Sequence, residues 1–463
     1  MENKDKVIVH IGFDDIDTPH GGCTTHYASL LLVKWIRERD LELIDYPNLI
    51  RLNPGVPWKT RGNGSVVLRF MVREEDEAIS YFEDAVSYLD EYLREYGGSW
   101  RLYSHPSIAM YIGEPDSVLQ WFSRKALYDL IPLDLLHRIL SKIGGNVRYW
   151  ISGKGRGLIG CLAGIGYRMT NTDYTYELLV YRSHEYLDRE RMVDEKSVLE
   201  MDKKYGGETI LNYDYEENRP LITPHGPDPV LLGIRGEKPE VLFKAFKVLE
   251  IYEPTPLAVI YRTNQHTDAH LKEIRDLSEV YIYRSIRVRV VVSSKPRRIM
   301  GGHVIFRVSD GYREVDVATY QPTGGFRSIV EKLDVGDEVE VMGVVRPHSS
   351  RHGKTINLEK LHVISVKPKY VLENPFCPRC GARMKSMGRG KGFKCPKCGF
   401  KSRDLVKIKK FVKRDLEPGW YEPPPRAFKH LMKPLKRFGR EKKSFPRVYR
   451  PRNFILFNNV FIE

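Results

Sequence analysis

Asp14, Asp15 and Asp17 crowd the end of the apolar run Val7–Phe13, and a Gly21-Gly22 turn separates them from Cys23, Thr24 and Thr25. An apolar strand that empties into acids, followed by hydroxyls at the mouth of a helix, is a common way to build a phosphate site. Magnesium is the natural counter-ion for such a cluster. Turn formation and helix capping are the alternative roles of these residue types, but a turn rarely uses three acids so close together. Two Gly-rich cationic segments could serve the same phosphates: Arg51–Gly64, with Lys59 and Arg61, and Ser152–Gly166, with Lys154, Arg156 and Gly157. Each could equally be an ordered loop or, for the second, a stretch whose glycines permit close packing. The second segment lacks the GxxxxGK[ST] spacing of a P-loop.

Metal chemistry of another kind is written near the C-terminus. Cys377 and Cys380 form one CxxC pair and, fourteen residues on, Cys395 and Cys398 form another. Two thiolate pairs at this spacing close a tetrahedron around zinc and leave no open position, which makes the zinc structural. Cys23 and Cys161 remain, both beside glycines.

These residues need elements to hold them. Tyr27–Asp40 is apolar at helical spacing, and its first turn would point N–H groups and the Thr24 and Thr25 hydroxyls toward the acids. Ser65–Val72 reads as a strand and Glu74–Glu95 as an acidic amphipathic helix. Thr175–Arg182, Val230–Ile234 and Leu257–Tyr261 read as strands, alternating with helical patterns at Glu185–Tyr205 and Glu240–Leu249, as in an α+β ferredoxin-like sandwich. From Tyr283 the texture turns to β: Ile286–Val292, His303–Val308, Val315–Thr319, Glu338–Val345 and Asn357–Val366, with a helix at Phe326–Leu333. That order is an OB-fold β-barrel, with Phe306 and Tyr320 as candidates to stack on bases or, equally, to pack in the barrel core.

The chain has 463 residues, 41% hydrophobic and 29% charged, enough for several domains and without a run long enough to span a membrane. The start of the chain, Met1–Lys6, does not read as a signal peptide, so a cytoplasmic protein is expected. The net charge of +15 points to a polyanionic partner. Between Lys401 and Arg450 stand 17 Lys and Arg against 5 Asp and Glu, with Trp420, Tyr421, Phe428 and Phe438 among them, which reads as an RNA-clasping extension, with a solvated disordered tail as the alternative. The expected organisation is a multidomain α+β chain: an α/β catalytic domain over 1–145, a ferredoxin-like domain over 146–275, an OB-fold over 280–368, a zinc ribbon over 374–404 and a basic C-terminal extension over 405–463.

Taken together, Gly12–Asp17, Gly22–Thr25, Pro57–Gly64, Lys154–Gly160, Thr263-Asn264, Thr267-Asp268, the four cysteines and Pro418–Glu422 resemble the archaeal tRNA(Ile) 2-agmatinylcytidine synthetase family nearly end to end. The resemblance implies a kinase-like catalytic domain and an ATP-dependent ligase that attaches agmatine to C2 of the wobble cytidine of a CAU-anticodon isoleucine tRNA, so that it reads AUA. It implies ATP and Mg²⁺, with Asp14, Asp15 and Asp17 as metal ligands and Thr24, the residue after the Cys of the motif, in preference to Thr18, as the phosphate-handling hydroxyl. Lys59, Arg61, Lys154, Arg156 and Gly157 would contact the nucleotide. Agmatine is dicationic and needs acceptors, for which Asp214, Asn264 and Asp268 are the candidates. The partners expected are tRNA and agmatine, with no membrane and no obligate protein partner. The competing readings are a non-catalytic RNA-binding or processing subunit and an RNA-dependent kinase using the same acids.

Overall fold

The computed structural model describes residues 6–98, 104–347 and 353–462; residues 1–5 of the N-terminal segment read above lie outside it. A twelve-stranded sheet forms the first half of the molecule. The opening strand Val7–Asp14 lies between Gly64–Val72 and Ser107–Ile112, antiparallel to both, and is buried on both faces. Helices Thr24–Glu38 and Glu75–Tyr96 cover one face, where Tyr27, Trp35 and Tyr81 pack on the sheet. The apolar helix Gly157–Gly166 covers the other, in keeping with its buried residues all round.

Glycine packing explains how that helix comes so close. A Cβ on Gly12 would lie 2.8 Å from the Cys161 carbonyl oxygen, and one on Gly160 would overlap the Asp14 carboxylate. The second Gly-rich segment therefore does both things its composition allowed: its glycines let helix meet strand, and one of them makes room for an acid.

The catalytic and ferredoxin-like parts are not separate bodies. Asn48–Arg51 pairs in parallel with Leu257–Thr263, so one continuous sheet runs from the first half into Thr175–Tyr181 and Val230–Gly236. Asn264 seals this seam, its side-chain oxygen accepting from the Arg51 amide (2.8 Å) and its NH₂ donating to the Arg51 carbonyl (2.9 Å).

The β-region is a closed barrel. Ser285–Arg298, Val304–Ser309, Glu314–Thr319, Glu338–Arg346 and Thr355–Ser365 follow the expected order, with the helix Gly325–Val330 between the third and fourth. Closure comes from first-to-fourth pairing (Val288 opposite Val341) and from parallel pairing of third and fifth (Val317 opposite Ile356). Phe306 is 1% exposed and fills the barrel with Val288 and Val317, so it is a core residue and not a base-stacking one. Tyr320 remains 40% exposed, edge-on to His303.

Beyond the barrel, Lys369–Glu373 and Ile408–Val412 form a two-stranded stalk that carries the four-cysteine module. The C-terminal extension is the main departure from the sequence reading. Gly419–Tyr421 adds a strand to the barrel, the following residues cross the ferredoxin-like part, and Ile455–Phe457 adds to the catalytic sheet beside Leu257–Val259. Trp420 stacks on His362 at 4.2 Å and Phe438 packs edge-on against it. Arg437, 1% exposed, pairs with Glu237 (2.5 Å) and Asp173 (3.0 Å). Much of the tail's charge and aromatic surface is thus spent on the protein itself, because acids distant in sequence wait for it.

Candidate active site at the seam of the sheet

Asp15 has φ of 60°, a left-handed conformation that reverses the chain just where the opening strand ends. This turn divides the three acids. Asp14 and Asp15 line a cavity of about 400 Å³, whereas Asp17 and Thr24 line a second one of about 770 Å³. Lys59 and Leu52 border both. Thr60 stands in the wall, with its hydroxyl 3.2 Å from Asp15 and 3.3 Å from Asp17.

The smaller cavity is apolar at one end, with Val56, Ile131 and Leu133, and charged at the other, with Asp14, Asp15, Lys59 and Arg156. Trp58, more than half exposed, carries the Arg156 guanidinium over its ring at 4.4 Å. The glycine helix starts in this wall at Gly157. Burial, reinforced by Asp15 and Asp17, raises the Asp14 carboxyl well above the carboxylate range. Burial also pushes Asp15 up to about 6, opposed by hydrogen bonds from the His105 amide and Thr60. Lys154 is exposed and borders neither cavity.

The larger cavity sits over the seam and is strongly cationic. Arg51, Lys59, Arg61, Arg235, Arg346 and Lys429 line it, against Asp17, Glu177 and Asp228. Its walls come from every large unit of the chain: Arg346 from the barrel, and Arg426 to Leu431 from the tail. Asp17 caps the helix Thr24–Glu38 from outside, accepting from the Thr24 amide (3.2 Å), and it pairs with Arg61 (3.3 Å). Thr24 is 2% exposed and its hydroxyl accepts from the Ile16 amide (3.2 Å). Thr18 instead organises the Gly21-Gly22 turn, accepting from Gly22 and donating to the Tyr96 carbonyl. Lys59 is folded back, donating to the Arg61 carbonyl at 2.9 Å; burial and then Arg346, Lys429 and Arg51 lower its pKa.

Three expectations change here. Among the described residues, only the four cysteines bring three or more metal-ligating atoms within 4.8 Å of one another, so Asp14, Asp15 and Asp17 do not converge on one point. The reversal at Asp15 is the reason. Asp214 is fully buried and already paired with Arg426 (2.8 Å) and with the Glu216 amide (2.9 Å). Asp268 accepts from Lys360 (2.5 Å) and from the Lys433 amide (2.7 Å), and Asn264 is committed to the seam. All three already serve donors of the protein itself, which leaves them poorly placed to receive a cationic substrate.

The sequence reading passed over Glu177, Arg235, His430 and Arg346, all in the larger cavity; His266, also there, belongs to the polar cluster Tyr261–His270 at the end of its strand, a usual place for ligand contacts. A signal existed for two of them: Glu177 and Arg235 are charges set inside apolar strand runs, which is unusual unless partnered. They are partners, at 2.8 Å. The four cysteine sulfurs, with Sγ···Sγ distances of 3.5 Å and 3.4 Å across the pairs, have the donor set and closeness that tetrahedral zinc requires.

Models of known families match four stretches: the TiaS TCKD domain over 10–144, the TiaS FLD domain over 155–270, an OB-fold nucleic acid binding domain over 286–364 and the TiaS C-terminal zinc ribbon domain over 374–416. The 2-agmatinylcytidine synthetase TiaS of Staphylothermus marinus is 63% identical over 99% of this chain and 100% of its own. That of Pyrococcus horikoshii is 41% identical over 93% and 97%. Among solved structures, a complex of TiaS with its isoleucine tRNA, AMPCPP and agmatine aligns with a TM-score of 0.78 at 35% identity, covering 93% of this chain and 97% of that one. The chain, with its seam cavities, fused sheet, barrel and four-cysteine module, belongs to the TiaS family of tRNA(Ile) 2-agmatinylcytidine synthetases.

Proposed function

We propose that this protein is an ATP-dependent ligase that attaches agmatine to C2 of the wobble cytidine of the CAU-anticodon isoleucine tRNA, in the cytoplasm. Relatives of that name match the chain end to end, and a solved neighbour holds its isoleucine tRNA, an ATP analogue and agmatine. Within this molecule, the observation that carries the mechanism is the division of the acids between two cavities that share Lys59.

The smaller cavity suits the nucleotide: an apolar end for the adenine, and Lys59, Arg156 and the start of the glycine helix for the phosphates. Mg²⁺ normally takes one or two carboxylates and completes its octahedron with water and phosphate oxygens, so Asp14 and Asp15 suffice as the protein's ligands there. When bound, the ion supplies charge neutralisation at the phosphates, and its charge would also offset the burial, and then the neighbouring acids, that raise Asp14. Asp17 works from the other side of the wall, orienting Thr24 and Arg61. The larger cavity then receives the wobble base, unstacked from the anticodon loop, and agmatine. Its cations hold the RNA backbone and the phosphate that activates the C2 oxygen. Asp228, only loosely paired with Arg61 (3.9 Å) and Arg191 (3.5 Å), is the acid placed to meet agmatine.

The test is direct. Protein, ATP, Mg²⁺, labelled agmatine and the CAU-anticodon tRNA are incubated, and label is expected in the RNA. Absence of label with that tRNA, but transfer from another amine or to another RNA, would refute the substrate assignment.

A further inference from the structure

The tail segment 430–433 is laced to the loop that follows the strand Leu257–Thr263. His266 and Asp268 both sit in left-handed conformations (φ 57° and 59°), and their amides donate to the carbonyls of His430 (2.8 Å) and Leu431 (2.8 Å). The His266 ring answers with Nδ1 on the Met432 carbonyl (2.9 Å), and the Lys433 amide donates to Asp268. This lacing holds His430, with Leu431 beside it, in the wall of the larger cavity.

The hydrogen bonds of His430 fix its tautomer. Glu177 is accept-only, so the Gln265 NH₂ that meets it must donate, which leaves Gln265 Oε1 facing His430. Nδ1 of His430 lies 2.9 Å from that oxygen and must therefore carry the hydrogen. Nε2 is left as a lone pair, with no hydrogen-bond partner among the described residues, on a ring that borders the cavity beside Gly62. Arg51 and Lys59 face the ring from the first half, Arg235 and Glu177 from the second, and His266 from its own loop. Burial first, and then Arg51 and Arg235, keep the ring neutral.

We propose that His430, supplied by the C-terminal tail, is a fixed hydrogen-bond acceptor for a substrate N–H in the larger cavity. In a wall dominated by guanidinium and ammonium donors, a locked imidazole lone pair offers what the cations cannot. Three substrate groups carry such an N–H: the exocyclic amine of cytosine, which uracil lacks, and the attacking amine and the guanidinium of agmatine. The inference rests on the reading of this cavity as the place where base and amine meet.

The experiment compares His430→Asn, which keeps a donor toward Gln265 but has no acceptor as far out as Nε2, with His430→Gln, which restores an acceptor at that reach. Transfer of labelled agmatine to the CAU-anticodon tRNA is measured, with tRNA affinity and melting followed in parallel. The asparagine variant should lose about 100-fold in kcat/KM, and the glutamine variant should regain at least about tenfold of it. A rise in KM for agmatine assigns the bond to agmatine: to its amine where the rise shrinks at high pH, where more of the amine is free base, and to its guanidinium where the rise is the same at every pH. An unchanged agmatine KM, with loss of tRNA-stimulated ATP turnover in the absence of agmatine, assigns it to the base. An asparagine variant as active as the parent, or a glutamine variant no better than asparagine, overturns the proposal. A parent that itself transfers no agmatine overturns the reading of the cavity and, with it, the role given to His430, and is told apart from failure of the proposal alone by the parent's own activity.

Discussion

The zinc ribbon and the C-terminal tail are neighbours in sequence, both basic and both rich in aromatic or thiol chemistry, yet they are held in opposite ways. The ribbon keeps its interactions local: Cys377, Met384, Phe393 and Cys395 form its own small core around the four thiols. The tail has no core of its own. It borrows one from the rest of the molecule, with Arg437 reaching Asp173 and Glu237, Phe445 and Ile455 joining the main core, and Lys429 meeting Glu359. A cationic segment therefore need not be an RNA contact. What decides is whether acids elsewhere in the fold wait for it.

The comparison predicts unequal damage. Deleting residues 424–463 should cost more than about 1,000-fold in transfer and unfold the catalytic half, since both the sheet edge and a cavity wall go with it; a thermal melt and the agmatine assay check this. A truncated protein that still melts like the parent would return the tail to the role of a simple RNA clasp. Asp15→Asn should lower transfer by about 1,000-fold with tRNA affinity intact, measured by gel shift; equal loss of both would remove Asp15 from the phosphate chemistry. Arg437→Ala should destabilise the fused sheet by about 1–3 kcal/mol in a thermal melt, because half-buried Asp173 and Glu237 lose the guanidinium and keep only Lys433 and Lys442. Cys395→Ser, by contrast, should release zinc and weaken tRNA binding by about tenfold, leaving the main melting transition where it was.

The smallest effect is a pH dependence. Burial alone would raise the Glu359 carboxyl, but Lys429 and His270 hold it far below its ordinary value. A depressed carboxylate contributes stability that is complete above its unfolded pKa, about 4.3, and that is lost as pH falls through the folded value. Tail docking should accordingly weaken below about pH 4.3 in the parent and not in Glu359→Gln, read by limited proteolysis within residues 424–440. Identical acid sensitivity in both proteins would show that this pair does not anchor the tail.

How far the sequence reached follows the same division. The strand into Asp14, the helix that starts at Thr24, the barrel order and the four cysteines were all legible, because each depends on residues close in the chain. Phe306 stood open between base stacking and the core, since a strand's alternation does not reveal which face turns inward until the barrel closes. Asp214 and Asp268 looked like free acids because their partners, Arg426, Lys360 and Lys433, lie far along the chain. His430 and Arg346 carried no signal at all as members of a site.

By itself the sequence determined the modules and their chemistry: acids at a strand end, a hydroxyl at a helix start, thiolates at tetrahedral spacing and a surplus of positive charge. Tertiary structure alone decided that the acids are divided between two cavities, through one left-handed residue at Asp15, and that barrel and tail complete the second cavity. The physical reason is range. Hydrogen-bond periodicity and ligand spacing act over a few residues, whereas the pairing of a buried charge is fixed only when distant segments meet.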